Sequence, residues 1–261
     1  MISTTLPLLQ TTHLTKSFGG MRSIVDVSLQ VHSNECVGII GPNGAGKTTL
    51  FNLFTGIYTP TSGDILWQGE LIQGMPPNQI ARLGMARTFQ NIRLFKQLSV
   101  LENVRIAYDS HLTYGPINAL FRGRLTRTEE KKSTQAASEL LAMFGMGDLI
   151  QEQAGSLPYG FQRRLEIARA LALNPRLLLL DEPVAGMNEN EMITIIELLR
   201  WVQKEFSSTL ILIEHHIDFV MELCNRLLVL NFGSILAEGA PAEVRNDRRV
   251  IEAYLGTEEE G

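Results

Sequence analysis

The sequence predicts an α/β fold, with a mostly parallel β-sheet covered on both faces by helices. Short apolar runs typical of buried strands alternate with helical segments along most of the 261 residues. One run, CVGII at 36–40, leads directly into the glycine-rich segment GPNGAGKTTL, and another, LLLL at 177–180, ends in an acidic pair. Continuous apolar runs of this kind are typical of parallel strands buried on both faces. With 44% hydrophobic residues, the chain can bury a sizeable core.

The first half of the chain begins with strands. β-Branched residues and partial alternation predict a half-buried strand at 24–31, and 36–40 follows as a buried strand. A helix is expected to begin near Lys47 and to end by Gly56. After the turn YTPTSG, the expected elements are the strand DILWQG, the short helix PPNQIARLG with proline at its start, and the strand MARTFQ.

A helical block is predicted within this α/β frame. Ser99 and Glu102 match a capping box before a helix, 109–127 lacks a clear period and is expected to be a loop, and a helix is expected from Thr128 to Gly145. The later elements are the strand LLLLD, a helix at about 189–205, the strand TLILI, a helix from Ile217, and the strands RLLVL and SILAE. The predicted division is an α/β core at 1–98 and 156–261, with a helical subdomain and loop-rich insert at 99–155.

Composition narrows the possible partners and compartment. The formal charge is −5, with 23 basic and 28 acidic residues spread along the chain, so nucleic acid is not expected as a partner. Cys36 and Cys224 lack metal-ligand spacing and are expected to be buried thiols in a reducing compartment. No signal peptide and no apolar run of about 18 residues is apparent, so we expect a cytoplasmic chain that acts at a membrane only through other chains.

The glycine-rich segment matches the phosphate-loop pattern G-x4-G-K-[ST] in the required context of a strand before and a helix after. Its glycines let backbone N–H groups close around a polyphosphate, its lysine neutralises charge, and its threonine hydroxyl can bind Mg²⁺. The predicted nucleotide-binding residues are Gly41, Pro42, Asn43, Gly44, Ala45, Gly46, Lys47, Thr48 and Thr49.

Further candidate residues lie where other strands end. Asp181 and Glu182 follow an apolar strand, so Asp181 is predicted to hold Mg²⁺ and Glu182 to orient and deprotonate a water molecule. Gln90, after the strand MARTF, is predicted to reach the Mg²⁺ or the water. His215 is predicted to contact a terminal phosphate, although the adjacent His216 leaves the assignment between them open on chemistry alone.

The segment SLPYGFQRRLEIARAL at 156–171 has the pattern of an anion site at the start of a helix. Proline is well suited to a first helical position, and the backbone N–H groups of Tyr159 and Gly160 lie where an anion can bind. Three arginines follow further along the helix. Without its context, the same segment is also typical of an amphipathic helix with a solvated basic face.

Together these segments resemble the nucleotide-binding subunit of ATP-binding cassette (ABC) transporters over nearly the whole chain. That family has a phosphate loop, a glutamine loop, a signature before a helix, an acidic strand end, a turn and a switch histidine, in this order. The matching positions here are 41–48, Gln90, LPYGF at 157–161, Asp181-Glu182, AGMN at 185–188, and His215. The resemblance implies a P-loop nucleotide-binding domain, with a RecA-like α/β core, an antiparallel β-subdomain and a helical subdomain, that binds ATP and Mg²⁺.

The resemblance also implies a mechanism. Two cassettes dimerise head to tail, so that Tyr159 and Gly160 complete the ATP site of the partner cassette in trans. Phe18 in KSFGG matches the aromatic residue that stacks on adenine, although a role in the core also fits an aromatic residue. ATP closes the dimer, hydrolysis reopens it, and the helical block passes this motion to membrane permease subunits.

Particular segments resemble the cassettes of branched-chain amino acid uptake systems. They are ARTFQNIRLFKQLSVLENV, RRLEIARAL, DEPVAGMN, LIEHHIDFV and the ending VIEAYLG. This subfamily implies a peripheral location on the inner face of the cell membrane and an indirect partnership with a solute-binding protein. Uptake of urea or amides, lipopolysaccharide export, a non-transport cassette and an ATP-binding module without turnover remain alternatives, and the partner cassette is either identical or related.

Some positions depart from the general family pattern Leu-Ser-Gly-Gly-Gln. Pro158 removes the serine hydroxyl and a backbone N–H, and Phe161 stands where glutamine is common. We interpret these changes as lost side-chain bonding to phosphate and not as lost activity. Asn188 and His216 each stand where the family commonly has aspartate. These two changes leave open how strongly the two cassettes of the dimer are coupled.

Overall fold

The computed structural model describes residues 6–109 and 124–255. The chain divides into two compact units, one built from Met1–Arg87 with Arg176–Gly261 and the other from Thr88–Pro175. The helical block predicted at 99–155 falls inside the second unit. That unit also contains the helix that begins at Tyr159, because this helix packs against the helices before it. Local sequence patterns carry no information on such packing.

The strands are β1 (Leu9–Phe18), β2 (Met21–Val31), β3 (Cys36–Ile40), β4 (Ser62–Trp67), β5 (Glu70–Leu71), β6 (Met85–Arg87), β7 (Leu177–Asp181), β8 (Thr209–Ile213), β9 (Arg226–Asn231) and β10 (Ser234–Gly239). The helices are α1 (Lys47–Phe54), α2 (Pro77–Arg82), α3 (Val100–Asp109), α4 (Arg124–Met143), α5 (Tyr159–Leu171), α6 (Glu189–Phe206), α7 (Ile217–Leu223), α8 (Pro241–Arg245) and α9 (Arg248–Leu255). This alternation confirms the predicted α/β fold. None of the helices in the described ranges is long and apolar enough to cross a membrane.

The first unit contains a six-stranded sheet in the order β10-β9-β3-β8-β7-β6. All neighbours pair in parallel except β10, which is antiparallel to β9. Every residue of β3, β7 and β8 is buried, as expected for parallel strands with both faces covered. Because parallel strands end at the same edge, the segments that follow these three strands come together there.

A four-stranded antiparallel sheet, in the order β2-β1-β4-β5, completes the first unit. Strand β1 has no clear sequence signal because irregularities shift its register against β2 near Leu14 and Lys16, which interrupts the alternation of apolar and polar residues. Both sheets share one hydrophobic core with α1, in which Phe51 and Phe54 are fully buried. Cys36 and Cys224 are buried free thiols in the same unit, with their Sγ atoms 3.8 Å apart.

The second unit is helical. The predicted capping box opens α3, because the N–H of Glu102 donates to Ser99 Oγ (3.1 Å) and the N–H of Ser99 donates to Glu102 Oε2 (2.8 Å). Helix α4 begins at Arg124, four residues before the expected start at Thr128. Arginine and leucine are good helix formers, so this segment extends the helix despite its lack of a clear period. The rest of the predicted loop, 110–123, lies outside the described residues.

Candidate functional site

The phosphate loop leaves β3 with a backbone that only glycine permits at two points. A Cβ at Gly41 (φ 148°) would lie 2.1 Å from the carbonyl oxygen of Leu230, and one at Gly46 (φ 102°) would lie 2.5 Å from that of Ser23. Gly44 also has positive φ, but a Cβ there would meet nothing within 4 Å. The loop is therefore closely packed on its protein side and open around Gly44, which is the shape that a polyphosphate requires.

Lys47 is the first residue of α1, and its side chain turns back toward the phosphate loop. Its Nζ donates to the carbonyl oxygens of Gly41 (2.6 Å) and Pro42 (2.9 Å). Burial lowers the pKa of Lys47, and the negative charges of Glu182 and Asp181 oppose that shift. The ammonium group is thus held close to both the loop and the acidic pair.

The two threonines that follow differ in exposure. Thr48 is exposed, so its hydroxyl is accessible, whereas Thr49 is half-buried and accepts a hydrogen bond from Ser23 Oγ at 2.9 Å. The hydrogen bond between Ser23 and Thr49 connects the start of α1 to β2.

Asp181 ends β7 with its carboxylate bound to a buried arginine. Its Oδ2 accepts from Nη2 of Arg87 at 2.7 Å, and the Arg87 guanidinium also donates to Asn52 Oδ1 at 2.6 Å. Its Cζ lies 5.4 Å from the ring centroid of Phe51. Sequence reasoning missed Arg87. The available signal was its place near the end of the strand MARTF, because β6 proves to be the parallel neighbour of β7.

Glu182 adopts a left-handed backbone conformation (φ 47°), and its N–H donates to the carbonyl of Ile213 at 2.9 Å. Its Oε1 lies 3.0 Å from Nε2 of His215. Because a carboxylate only accepts hydrogen bonds, Nε2 carries the proton in this contact. His216 instead occupies the N-cap position of α7. Geometry therefore distinguishes the two histidines that chemistry alone left equivalent.

Glu214 is a second residue that sequence reasoning missed. It lies between β8 and His215, is 1% exposed, and accepts hydrogen bonds from the backbone N–H groups of Val184, His215 and His216. Burial raises the pKa of Glu214, while these three N–H groups favour its ionised form. The segment LIEHH contained the signal, an acidic residue directly after an apolar strand.

Phe18 ends β1 outside the core, since it is 39% exposed. Its ring and that of Tyr58 form a T-shaped pair with centroids 5.0 Å apart, and Nζ of Lys16 lies 5.0 Å from the Phe18 centroid. A partly exposed aromatic ring of this kind suits stacking on a planar ligand. Its predicted contact with adenine stays a prediction.

The remaining predicted residues, Gln90, Tyr159 and Gly160, belong to the second unit. Buried Arg163 of α5 donates to the carbonyls of Phe89 (2.8 Å) and Gln90 (3.0 Å), and to the hydroxyl of Tyr159 (3.2 Å). The segment around Gln90 and the first turn of α5 are therefore joined by one guanidinium.

A buried carboxylate completes this connection. Glu166 Oε2 accepts from Nη1 of Arg163 at 2.8 Å, and its Oε1 accepts from the N–H groups of Arg93 (3.2 Å) and Phe89 (3.4 Å). Both side chains of the pair are at most 2% exposed. Burial raises the pKa of Glu166, and Arg163 is the largest opposing influence.

The departures at Pro158 and Phe161 have local structural roles. Pro158 was predicted as the first helical residue, but it is the N-cap of α5 and the helix begins at Tyr159, because the ψ of Pro158, 151°, is extended. Its carbonyl accepts from the N–H groups of Phe161 and Gln162, both at 3.0 Å. The ring of Phe161 packs under the guanidinium of Arg164, whose Cζ is 5.2 Å from the ring centroid.

Asn188 serves as the N-cap of α6. Its side chain accepts from the N–H of Glu191 at 3.1 Å, and the Glu191 carboxylate accepts from the N–H of Asn188 at 3.0 Å. Asparagine and aspartate cap helices about equally well, so this departure preserves the helix start.

At one edge of the parallel sheet, the first unit thus brings together Lys47, Asp181, Glu182 and His215. The donor set fits Mg²⁺, which prefers oxygen ligands from one or two carboxylates together with phosphate oxygens. Of the predicted Mg²⁺ ligands, the two in the first unit are the Thr48 hydroxyl and the Asp181 carboxylate, and both supply oxygen. No cluster of three or more His, Cys, Asp or Glu side chains that could hold a metal occurs among the described residues.

Comparison with known proteins gives matches along nearly the whole chain. Residues 24–185 match the family model for the ABC transporter, and residues 234–260 match that for the branched-chain amino acid ATP-binding cassette transporter. The high-affinity branched-chain amino acid transport ATP-binding protein BraF of Pseudomonas aeruginosa is 43% identical, over 96% of this chain and 98% of its own length. LivG of Escherichia coli, described in the same words, is 42% identical with the same coverage. A crystal structure of an ABC transporter cassette in its ADP conformation superposes with a TM-score of 0.84 and 31% identity, covering 97% of this chain and all of that one.

Proposed function

Because the chain belongs to the family of ABC transporter ATP-binding proteins, we propose that it is the ATP-hydrolysing subunit of an importer for branched-chain amino acids. The observation that carries the chemistry is the contact between Glu182 and His215, 3.0 Å apart, beside the loop that holds Lys47. The solute class is supported by the names of BraF and LivG and by the match at 234–260.

We propose that the phosphate loop holds the polyphosphate of ATP. The backbone N–H groups of 41–49 would surround the phosphates, and the ammonium of Lys47 would leave the loop carbonyls to neutralise them. The Thr48 hydroxyl and the Asp181 carboxylate would hold Mg²⁺, which supplies positive charge at the terminal phosphate. Phe18 would stack on the adenine.

The chemistry proposed for Glu182 is general base catalysis. Its carboxylate would orient the attacking water and accept its proton, while Nε2 of His215 would hold Oε1 of Glu182 and contact the terminal phosphate. Lys47, Asp181 and Glu182 together form a charged group at one sheet edge, and such groups are typical of catalytic sites.

The proposed partners are a second cassette and integral membrane permease subunits, which the chain would contact at the inner face of the cell membrane, with a solute-binding protein as an indirect partner. Tyr159 and Gly160 would then face the ATP held by the second cassette, at a helix start that suits an anion. The motion of opening and closing would reach the permease through the second unit, which carries both Gln90 and the start of α5.

Purification of the membrane complex from its native source tests this function. We expect permease subunits to copurify, and uptake driven by ATP to favour leucine, isoleucine and valine over urea and short amides. Copurification without preference for these amino acids would overturn the solute class. Absence of any permease would overturn the transport function itself.

A further inference from the structure

Glu214 is a buried carboxylate with no part in the chemistry proposed above. It follows β8 directly, as Glu182 follows the adjacent β7, and the register pairs Asp181 with Ile213 at the ends of these strands. The two glutamates are therefore neighbours across the sheet edge. Glu182 retains 18% exposure of its side chain, whereas Glu214 is 1% exposed. The two adjacent carboxylates thus occupy different environments: that of Glu182 is partly open to solvent at the site, and that of Glu214 is buried.

The hydrogen bonds of Glu214 connect two loops. Its Oε1 accepts from the N–H of Val184 at 2.9 Å, in the turn that follows Glu182. Its Oε2 accepts from the N–H of His215 at 3.0 Å and, at 3.4 Å, from that of His216. Each oxygen therefore serves a different loop, and the bonds of both are to backbone, which fixes loop position and not merely side-chain position.

A carboxylate in this place is energetically expensive, because burial raises the pKa of Glu214 and disfavours its charged form. Its three bonds to backbone N–H groups offset that cost. An apolar residue would avoid the desolvation but would leave these N–H groups without their acceptor. Packing alone therefore does not account for a glutamate at this position.

We propose that Glu214 is a positioning residue for ATP hydrolysis, which bridges the Glu182 loop and the His215 loop so that Oε1 of Glu182 and Nε2 of His215 stay in hydrogen-bond contact. The inference rests on the proposed catalytic roles of Glu182 and His215. Glu214 itself touches neither nucleotide nor water in this scheme. Removal of the Glu214 carboxylate should slow ATP turnover. It should not weaken ATP binding by the phosphate loop, because that loop follows a different strand, β3.

Glu214→Gln is the sharpest variant, because it keeps the shape of the side chain but replaces one oxygen with a donating NH₂ group. Whichever way the amide points, it faces an N–H donor in one of the two loops. Glu214→Asp is the second variant. It keeps the charge and both oxygens, but a side chain shorter by one methylene cannot reach both loops.

We expect Glu214→Gln to lower kcat for ATP hydrolysis by about tenfold or more, while the KM for ATP changes by less than about twofold. The measurement uses the full chain in its transporter complex, with the unfolding midpoint recorded for each variant. Glu222→Gln is the matched control, because Glu222 is an exposed glutamate of α7 that pairs with Arg200 at 3.2 Å, and kcat should stay within about twofold.

A double-mutant cycle separates positioning from general destabilisation. If Glu214 acts through the contact between His215 and Glu182, then Glu214→Gln should lower kcat by less than about twofold in a His215→Ala background. Full reduction in that background, or a kcat unaffected by both Gln and Asp at 214 in the parent chain, would overturn the positioning role. Full activity of His215→Ala alone would instead refute the catalytic role proposed for His215, so the two failures are distinguishable.

Discussion

The guanidinium of Arg87 donates to the carboxylate of Asp181 across 2.7 Å, and the two side chains are only 6% and 7% exposed. Asp181 is also the carboxylate proposed to hold Mg²⁺. A buried carboxylate requires a counter-charge. Arg87, on the neighbouring strand β6, supplies that charge to Asp181 independently of Mg²⁺. The site thus has a fixed positive charge behind its acidic strand end.

Arg87→Ala should therefore destabilise the first unit strongly. Removing one partner of a buried ion pair leaves the other charge uncompensated, which costs about 3–5 kcal/mol. Urea denaturation should show this loss in the free energy of unfolding. Arg248→Ala is the control, since Arg248 is 90% exposed in its pair with Glu252, and its removal should change stability little. Equal effects of the two variants would contradict the importance of burial.

Glu182→Gln is expected to bind ATP yet lose nearly all turnover, because an amide cannot accept the proton of the attacking water. The loss should reach about two orders of magnitude or more. ATP binding, ATPase rate and the size of the ATP-bound species by gel filtration would be measured together, and a trapped dimer is expected. Retained full hydrolysis would refute the role of Glu182 as general base.

Lys47→Ala should weaken ATP binding by at least about tenfold, since a charge-assisted hydrogen bond is worth about 1.5–3 kcal/mol. Titration with ATP by calorimetry checks this. Lys204→Ala, at an exposed lysine near the end of α6, is the control and should bind ATP normally. Unchanged affinity in Lys47→Ala would contradict the predicted phosphate contact.

The sequence was sufficient for elements whose signal is local. CVGII and LLLLD are continuous apolar runs, so their burial on both faces could be predicted, and parallel strands necessarily end at one edge. The register shifts of β1 left no such signal. Arg87 and Glu214 do lie at or beside predicted strand ends, but their roles could not be assigned from the sequence because those roles depend on which strands are neighbours. Only the order β8-β7-β6 brings Arg87 beside Asp181 and Glu214 beside Val184.

A pH dependence is expected from Glu166. Burial raises the pKa of Glu166 in the folded state above its ordinary value of 4.5, so between these two values the folded chain binds more protons than the unfolded chain. Its contribution to stability is therefore fully present below 4.5 and is lost as the pH rises through the raised value. The free energy of unfolding of the parent chain, relative to Glu166→Gln, should fall with rising pH across this window. Urea denaturation of both proteins at a series of pH values tests this, and a relative stability that rises with pH would contradict it.

Phe18 provides the most direct test of where the nucleotide base lies. Base–aromatic stacking is worth about 1–3 kcal/mol, so Phe18→Ala should weaken ATP binding by about tenfold. Because Phe18 is 39% exposed and lies outside the core, where its ring contacts Tyr58 and Lys16, its removal should cost little stability. Phe18→Trp should restore the affinity, since a larger ring stacks at least as well, whereas Phe18→Leu keeps apolar bulk without an aromatic face and should not. Calorimetric titration with ATP compares the four proteins. Equal affinity in the Leu and Trp variants would show that the position provides only apolar contact, and full affinity in the Ala variant would remove Phe18 from the site.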